Sequence, residues 1–220
     1  MSDFTAVRKH LVLKLVQEGR IRSSHVIEAM EAIPRELFVL PGEQNQAYID
    51  TPLCIGSGQT ISAPHMVGIM AEELDLAPGQ RVLEVGTGSG YHASVVAHIV
   101  GKLPKGHVYS VEIKPELVEF ANQNIKKAGY NEVITVIKSD GSAGYPKEAP
   151  YDRIFVTCAS PDIPPPLIDQ LAEDGKLLIP KGSTYYSELT LVTKVKNKLR
   201  KTNLGGCAFV PMVGEFGYQV

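Results

Sequence analysis

Long apolar runs, clustered cysteines and a large net charge of either sign are all missing from this 220-residue chain. No uninterrupted apolar stretch approaches the roughly 20 residues that span a bilayer. The opening residues, MSDFTAVRKH, contain no apolar segment of the kind that begins a secretion signal. A membrane partner is therefore not expected, and a cytoplasmic location is. Cysteine occurs three times, at Cys54, Cys158 and Cys207, without C-x-x-C spacing. Neither a disulfide framework nor a zinc knuckle follows from such a pattern. With 22 basic against 24 acidic residues the formal charge is -2, so no global field recruits nucleic acid or an anionic surface. An apolar fraction of 44% and a charged fraction of 21% exclude a disordered chain. The length supports one well-buried domain and not two comparable ones. A monomer is expected, and neither an internal repeat nor a low-complexity tract is present.

Periodicity orders the rest. Leu11, Val12, Leu15 and Val16, then Val26, Met30 and Ile33, recur at helical spacing, with Ser23 or Ser24 as a cap between the two helices and Pro34 after them. Residues 41–63 are rich in Gly, Pro, Ser, Thr and Gln without a period, and a loop of that length in a compact domain is usually functional. A helix resumes after Pro64, with Val67, Met70, Ala71 and Leu74 on one face, until APGQ breaks it. Strands and helices then alternate: RVLEVG, a helix over Tyr91–Val100, HVYSVE, a helix over Pro115–Ala128 stopped by Gly129, VITVIKSD, YDRIFVTCAS, a short helix over 167–171, and KLLIP. Such alternation implies a parallel sheet with right-handed crossovers. At the end, LTLVTKV and CAFVPMV are expected to pair antiparallel at the sheet edge. The basic connector KNKLRKTNL between them is expected to be a solvated hairpin, since no aromatics are interleaved for base stacking. Within one domain, 1–63 forms the N-terminal helices and a site loop, and 64–220 the α/β core and C-terminal strands.

The stretch LEVGTGSGYHA spaces its glycines as Gly86-x-Gly88-x-Gly90, not as the dinucleotide G-x-G-x-x-G. In an open α/β sheet, ligands bind beyond the carboxyl ends of the strands. Glu84 lies in the first strand of the core, Glu112 ends the second, and Asp140 follows the third. Glu112 is placed to accept both hydroxyl protons of a ribose, and Asp140 with Gly141 to meet an adenine edge. A pyrophosphate would call for cations or N-H groups instead. A ligand with a ribose, an adenine and a positive centre but no phosphate fits, and S-adenosylmethionine is such a ligand. Blander roles stay open: a tight strand-to-helix turn for the glycines, a solvated strand end for Glu112, an Asx turn for Asp140. A nicotinamide-dependent oxidoreductase and a non-catalytic adaptor that keeps the sheet and binds protein or RNA are the competing functions. The glycine spacing disfavours the first, and an intact loop around Ser62 disfavours the second.

After the fourth core strand the chain reads VTCASPDIPPP, not the Asn/Asp-Pro-Pro-aromatic cluster that accompanies methyl transfer to a base. Cys158 there reads as a small buried apolar residue. No clustered oxygen ligands suggest a metal site. The distinctive stretch is GSGQTISAPHM, before the first long core helix. With VLEVGTGSGY, VEIKPELVEFAN, SDGSAGYPKEAPYDRIFVTCAS, LIDQLAEDGKLLIPKG and FVPMVGE, it makes nearly the whole chain resemble the protein-L-isoaspartate (D-aspartate) O-methyltransferases, which repair isomerised aspartyl and deamidated asparaginyl residues.

This resemblance implies an α/β fold, a Rossmann-like class I S-adenosylmethionine-dependent methyltransferase. Its seven-stranded, mostly parallel sheet would have an antiparallel C-terminal edge and added N-terminal helices. It implies a catalytic Ser62, cofactor contacts at Thr60, His65, Glu84, Gly86, Gly88, Glu112, Asp140 and Gly141, and substrate contacts at Ile61, Ser62 and Val213. The cofactor implied is S-adenosyl-L-methionine, the partners isoaspartyl-containing proteins and peptides. From the residues alone Ser62 also suits a helix N-cap beside Ala63-Pro64. His65 can pack or support the cofactor loop, and His92 and His98 read as surface or packing residues of their helix. Tryptophan is absent, and Tyr91, Phe216 and Tyr218 stand where relatives often carry it; this departure and the loop PLCIGSG bear on peptide preference, not on the chemistry.

Overall fold

A computed structural model of the chain describes residues 4–103, 105–183 and 186–218. Its centre is a seven-stranded sheet whose strands are β3 (Arg81–Val85), β4 (His107–Glu112), β5 (Ile134–Lys138), β6 (Tyr151–Val156), β7 (Leu171–Gly182), β8 (Ser187–Val195) and β9 (Lys198–Cys207). They lie in the order β5-β4-β3-β6-β7-β8-β9. β5, β4, β3, β6 and β7 run parallel, and β8 and β9 are added antiparallel. Between them run α4 (Tyr91–Val100), α5 (Pro115–Ala128) and α6 (Pro165–Asp169). The chain runs outward from β3 to β5, then returns to place β6 on the other side of β3. This reversal creates the crevice at the carboxyl ends of β3, β4 and β6 where such sheets bind ligands.

The alternation of side chains along each strand divides the core in two. Val82, Val108, Phe155 and Leu178 join one apolar cluster with the larger helices, and Leu83, Val85, Val111, Ile154, Val156, Leu177 and Ile179 join a second. Each such side chain contributes about 1.5–3 kcal/mol by leaving water. α1 (Phe4–Gln17), α2 (Ser24–Ala32) and α3 (Pro64–Leu74) close the first face. α2 is held from α3. Glu72 accepts hydrogen bonds from Ser23 N at 2.7 Å, Arg22 N at 2.8 Å and Ser23 Oγ at 2.7 Å. Ser23 thus occupies the cap position, but its hydroxyl serves Glu72 and makes no cap bond. Arg35 is fully buried, donates from Nε to Ala47 O at 2.8 Å and lies 5.0 Å over the Tyr91 ring, which fastens the N-terminal loop to α4.

Two expectations are corrected. The loop 41–63 contains a hairpin, β1 (Leu53–Gly56) and β2 (Gln59–Ile61), paired antiparallel. It turns through Ser57 at φ 52° and Gly58 at φ 70°, the double positive φ of a two-residue primed turn. The seventh strand is not CAFVPMV. A turn at Lys196 and Asn197 (φ 52° and 58°) sends the basic connector itself back along β8 as β9. Most of its side chains are exposed because it is an edge strand, and edge strands are commonly charged. CAFVPMV instead crosses the ends of the sheet, where Ala159 pairs with Pro211, Met212 N donates to Ala159 O at 2.7 Å and Met212 is buried.

Candidate active site

β3 ends at Val85, and the chain must reverse into α4 within a few residues. Gly86, Gly88 and Gly90 all have positive φ, at 97°, 55° and 85°, a region that only glycine enters freely. Space adds a second reason. A Cβ on Gly86 would stand 2.4 Å from Thr157 Oγ1, and one on Gly90 2.9 Å from Ile125. The turn is pinned by Gly86 N to Val111 O at 2.9 Å and by Gly88 N to Glu112 Oε2 at 3.0 Å.

Glu112, at the tip of β4, is buried and also accepts from Lys114 N through Oε1 at 3.0 Å. Its carboxylate is therefore a fixed hub and not a solvated strand end. A carboxylate has about four acceptor positions, and two backbone N-H groups leave about two for a ligand. A cleft beside it is lined by Gln59, Thr60, Gly86, Gly88, Glu112 and Gly141, and roofed by Pro211, Met212 and Val213. Cys158 also borders it. Burial and the nearby Glu112 push its thiol well above the ordinary range, as suits an apolar wall and not a nucleophile.

Asp140 is not among the residues lining this cleft. Its Oδ1 accepts from Ser142 N at 2.8 Å and Ser142 Oγ at 2.7 Å, and its Oδ2 from Glu215 N at 2.8 Å. It caps the turn after β5 and ties the C-terminal segment to it. Gly141 and Ser142 are what that turn presents to the cleft. Val213, partly exposed and bridged to Tyr218, roofs the same space.

A second, smaller cavity continues under the turn, lined by Thr60, Ile61, Ser62, Glu84, Thr87 and His92 among others. A third opens outward beside Ser62, His65, Met66, Phe209 and Val210. Thr60 borders all three and Ser62 the last two. Among the described residues the Ser62 hydroxyl has no hydrogen-bond partner, and α3 is capped at Ala63 without a side-chain bond. The capping role that the sequence left open for Ser62 is filled by Asp50. Its Oδ1 accepts from His65 N at 2.9 Å and lies 2.9 Å from His65 Nδ1. Asp50 gave no signal in the sequence, being one carboxylate in a polar loop.

Glu84 is fully buried on the helix-facing side of β3, and one of its oxygens accepts from Ser110 Oγ. Desolvation, opposed by that bond and reinforced by Glu112, lifts its carboxyl to about 8. His92 is also buried, its ring 4.5 Å from that of Phe155, and burial lowers its imidazole to about 3. His98 instead pairs with Tyr130 at 2.7 Å and Glu28 at 3.3 Å. Packing thus describes both histidines, although His92 carries unpartnered nitrogens.

The family model of the protein-L-isoaspartate(D-aspartate) O-methyltransferases matches residues 6–217. The chain belongs to this family. It is 54% identical over 222 residues to the protein-L-isoaspartate O-methyltransferase of Hyperthermus butylicus, covering 98% of this chain and 92% of that one. It is 52% identical to that of Methanopyrus kandleri, with 98% and 95% covered. Among solved structures, a Plasmodium falciparum member of the family in complex with S-adenosyl-L-homocysteine superposes with a TM-score of 0.82 at 30% identity, covering 94% of this chain and 98% of that one. Another family structure gives 0.87 at 31% identity, with 96% and 67% covered. The Rossmann-like methyltransferase sheet, its antiparallel edge and the added N-terminal helices are thus as expected. Among the described residues no helix is long and apolar enough to cross a membrane.

Proposed function

We propose that this chain transfers the methyl group of S-adenosylmethionine to the α-carboxylate of L-isoaspartyl residues in damaged proteins and peptides, giving a methyl ester and S-adenosylhomocysteine. The observation that carries the reading is the Ser62 hydroxyl, without a partner among the described residues, at the boundary between the cavity under the glycine turn and the groove beside Phe209. It stands where a cofactor on one side would meet a peptide on the other.

The residues present fit the cofactor. Glu112 has acceptor capacity left for two ribose hydroxyls, the backbone at Gly86 and Gly88 leaves room for close approach, and Gly141 with Ser142 borders the far end for the adenine. Thr60 and His65 would line the side toward Ser62, and Glu84 the floor. When bound, the cofactor supplies a methyl group on a positively charged sulfur. The work left to the protein is small. An isoaspartyl α-carboxylate is already ionised at neutral pH, so no general base is needed. Ser62 donates its hydroxyl proton in a hydrogen bond to one carboxylate oxygen and leaves the other to react. Ile61 and Val213 exclude water beside it. Holding the reacting groups in line can lower a barrier by roughly 7–11 kcal/mol.

In this reading residues 1–63 supply the peptide-side loop and 64–220 the cofactor core. The proposed site calls on no second copy, and a monomer is the proposed form. Balanced charge and scattered cysteines support a cytoplasmic enzyme with neither nucleic acid nor membrane as partner. The decisive experiment supplies methyl-labelled cofactor and paired peptides that differ only in isoaspartyl or aspartyl linkage. A base-labile methyl ester on the isoaspartyl peptide alone is expected. Equal labelling of both, or of neither, rejects the proposal.

A further inference from the structure

Glu84, Ser110 and Phe155 are register partners on adjacent strands and so share one face of the sheet. His92, in the first turn of α4, rests its ring on Phe155, which sets the imidazole over the same face as the Glu84 carboxyl. Glu84 Oε2 is satisfied by Ser110. Among the described residues Glu84 Oε1 and both ring nitrogens of His92 are buried without a partner. Buried polar atoms in folded proteins are almost always paired, and an unpaired one costs about 1–3 kcal/mol. Both side chains border one cavity of about 30 Å³, which also touches Ser62, Thr87 and Gly88. A water needs about 10–15 Å³ and two to four polar partners. The cavity has room for a water beside both side chains.

We propose that His92 is a positioning residue: one water lodged in this cavity joins its ring to Glu84 Oε1 and fixes the carboxyl that faces the end of the bound cofactor nearest Ser62. A neutral imidazole has one N-H and one bare nitrogen. Glu84, kept protonated by its burial, donates from Oε1 to the water, and the water donates to the bare ring nitrogen. The groups around the carboxyl are then accounted for: Ser110 and Glu112 from β4, His92 from α4 and the apolar Phe155 from β6. Nothing in the sequence distinguishes His92 from a packing residue, because only the tertiary fold sets it beside Glu84. The inference rests on the cofactor reading above.

The test uses three proteins: wild type, His92→Phe, which fills the space with an apolar ring against Phe155, and His92→Gln, which restores a donor and an acceptor. Dissociation constants for S-adenosylmethionine and S-adenosylhomocysteine are measured by calorimetry, and KM for an isoaspartyl peptide by methyl transfer. His92→Phe should weaken cofactor binding about tenfold, as for the loss of one buried hydrogen bond. It should leave the peptide KM within twofold, and His92→Gln should recover most of the loss. A high-resolution crystal structure of the wild-type cofactor complex should hold a water within hydrogen-bond distance of both His92 and Glu84, and this arm stands even if His92→Phe fails to fold. Unchanged cofactor affinity in a folded His92→Phe, a dry cavity, or the cofactor's own ammonium in the water's place overturns the proposal. Failure of wild type to bind either cofactor would instead reject the cofactor reading, and His92 with it.

Discussion

Glu112 performs two tasks, and substitution can separate them. One task is internal, since its two oxygens each accept a backbone N-H, from Gly88 and from Lys114. The other is the proposed acceptance of two ribose hydroxyls. Glu112→Ala removes both tasks. Two N-H groups lose their acceptor at about 1–3 kcal/mol each, so the glycine turn itself loosens by about 2–6 kcal/mol and any loss of affinity is ambiguous. Glu112→Gln is the sharper change. It keeps the side-chain volume and one acceptor oxygen, so that one of the two backbone N-H bonds survives while the other is lost, and it removes the charge. Hydrogen bonds to charged groups contribute about 1.5–3 kcal/mol against about 0.5–1.5 for neutral ones. Two hydroxyls therefore lose about 2–3 kcal/mol, or roughly 30- to 150-fold in Kd. Calorimetric titration with S-adenosylhomocysteine, with a melting curve on the same sample, gives both numbers. A folded Glu112→Gln protein that binds within twofold of wild type would show that Glu112 only pins the turn, and the ribose assignment would be wrong.

What was legible in the sequence is what local physics decides. α4 and α5 begin and end where Tyr91, Val100, Pro115 and Gly129 place them, and in α5 a proline at the first turn and a left-handed glycine at the end are local devices. β3 and β4 were legible as apolar runs between turns. The hairpin β1–β2 was not, because strands of four and three residues show no period. Its one signal was Ser57-Gly58 between Leu53, Ile55 and Ile61. β9 was missed for the opposite reason: an edge strand exposed on both faces looks like a connector, while CAFVPMV is apolar because it covers a ligand cleft. At the cleft, the places of Gly86 and Gly88 in the turn and of Glu112 at the strand tip were legible, since backbone position decides them. Residues whose roles come from distant partners were not. Asp50 reaches His65, Asp140 reaches Glu215, and His92 rests on Phe155, beside Glu84, only through the sheet register.

The same geometry makes three further predictions. Gly86→Ala should cost several kcal/mol and abolish cofactor binding, because its φ of 97° is strained for alanine and its Cβ would stand 2.4 Å from Thr157 Oγ1; a stable variant that binds normally would contradict that crowding. Ser62→Ala should leave the melting temperature within about 2 °C, since no cap bond is lost, yet lower kcat/KM for an isoaspartyl peptide by at least about tenfold. Wild-type kinetics would remove Ser62 from the proposed chemistry. The third concerns Glu84, whose carboxyl is lifted from 4.5 to about 8 by burial. A carboxyl so raised keeps its proton in the folded chain between those limits, while the unfolded chain releases it. Folded protein then binds more protons, and stability from this group falls as pH rises from about 4.5 to 8 and levels off beyond. Each pH unit of that window corresponds to about 1.4 kcal/mol, so the whole effect has a ceiling of about 5 kcal/mol. Glu84→Gln keeps an acceptor for Ser110 and cannot titrate. His92, lowered to about 3, gains stability with rising pH below its ordinary 6.5, but it does so in both proteins and cancels in their difference. Unfolding free energies of wild type and Glu84→Gln should therefore diverge with pH, the variant becoming the more stable of the two toward pH 8. A difference that stays constant from pH 5 to 8 would mean that Glu84 is ionised in the folded chain, with a counter-charge supplied from within the fold.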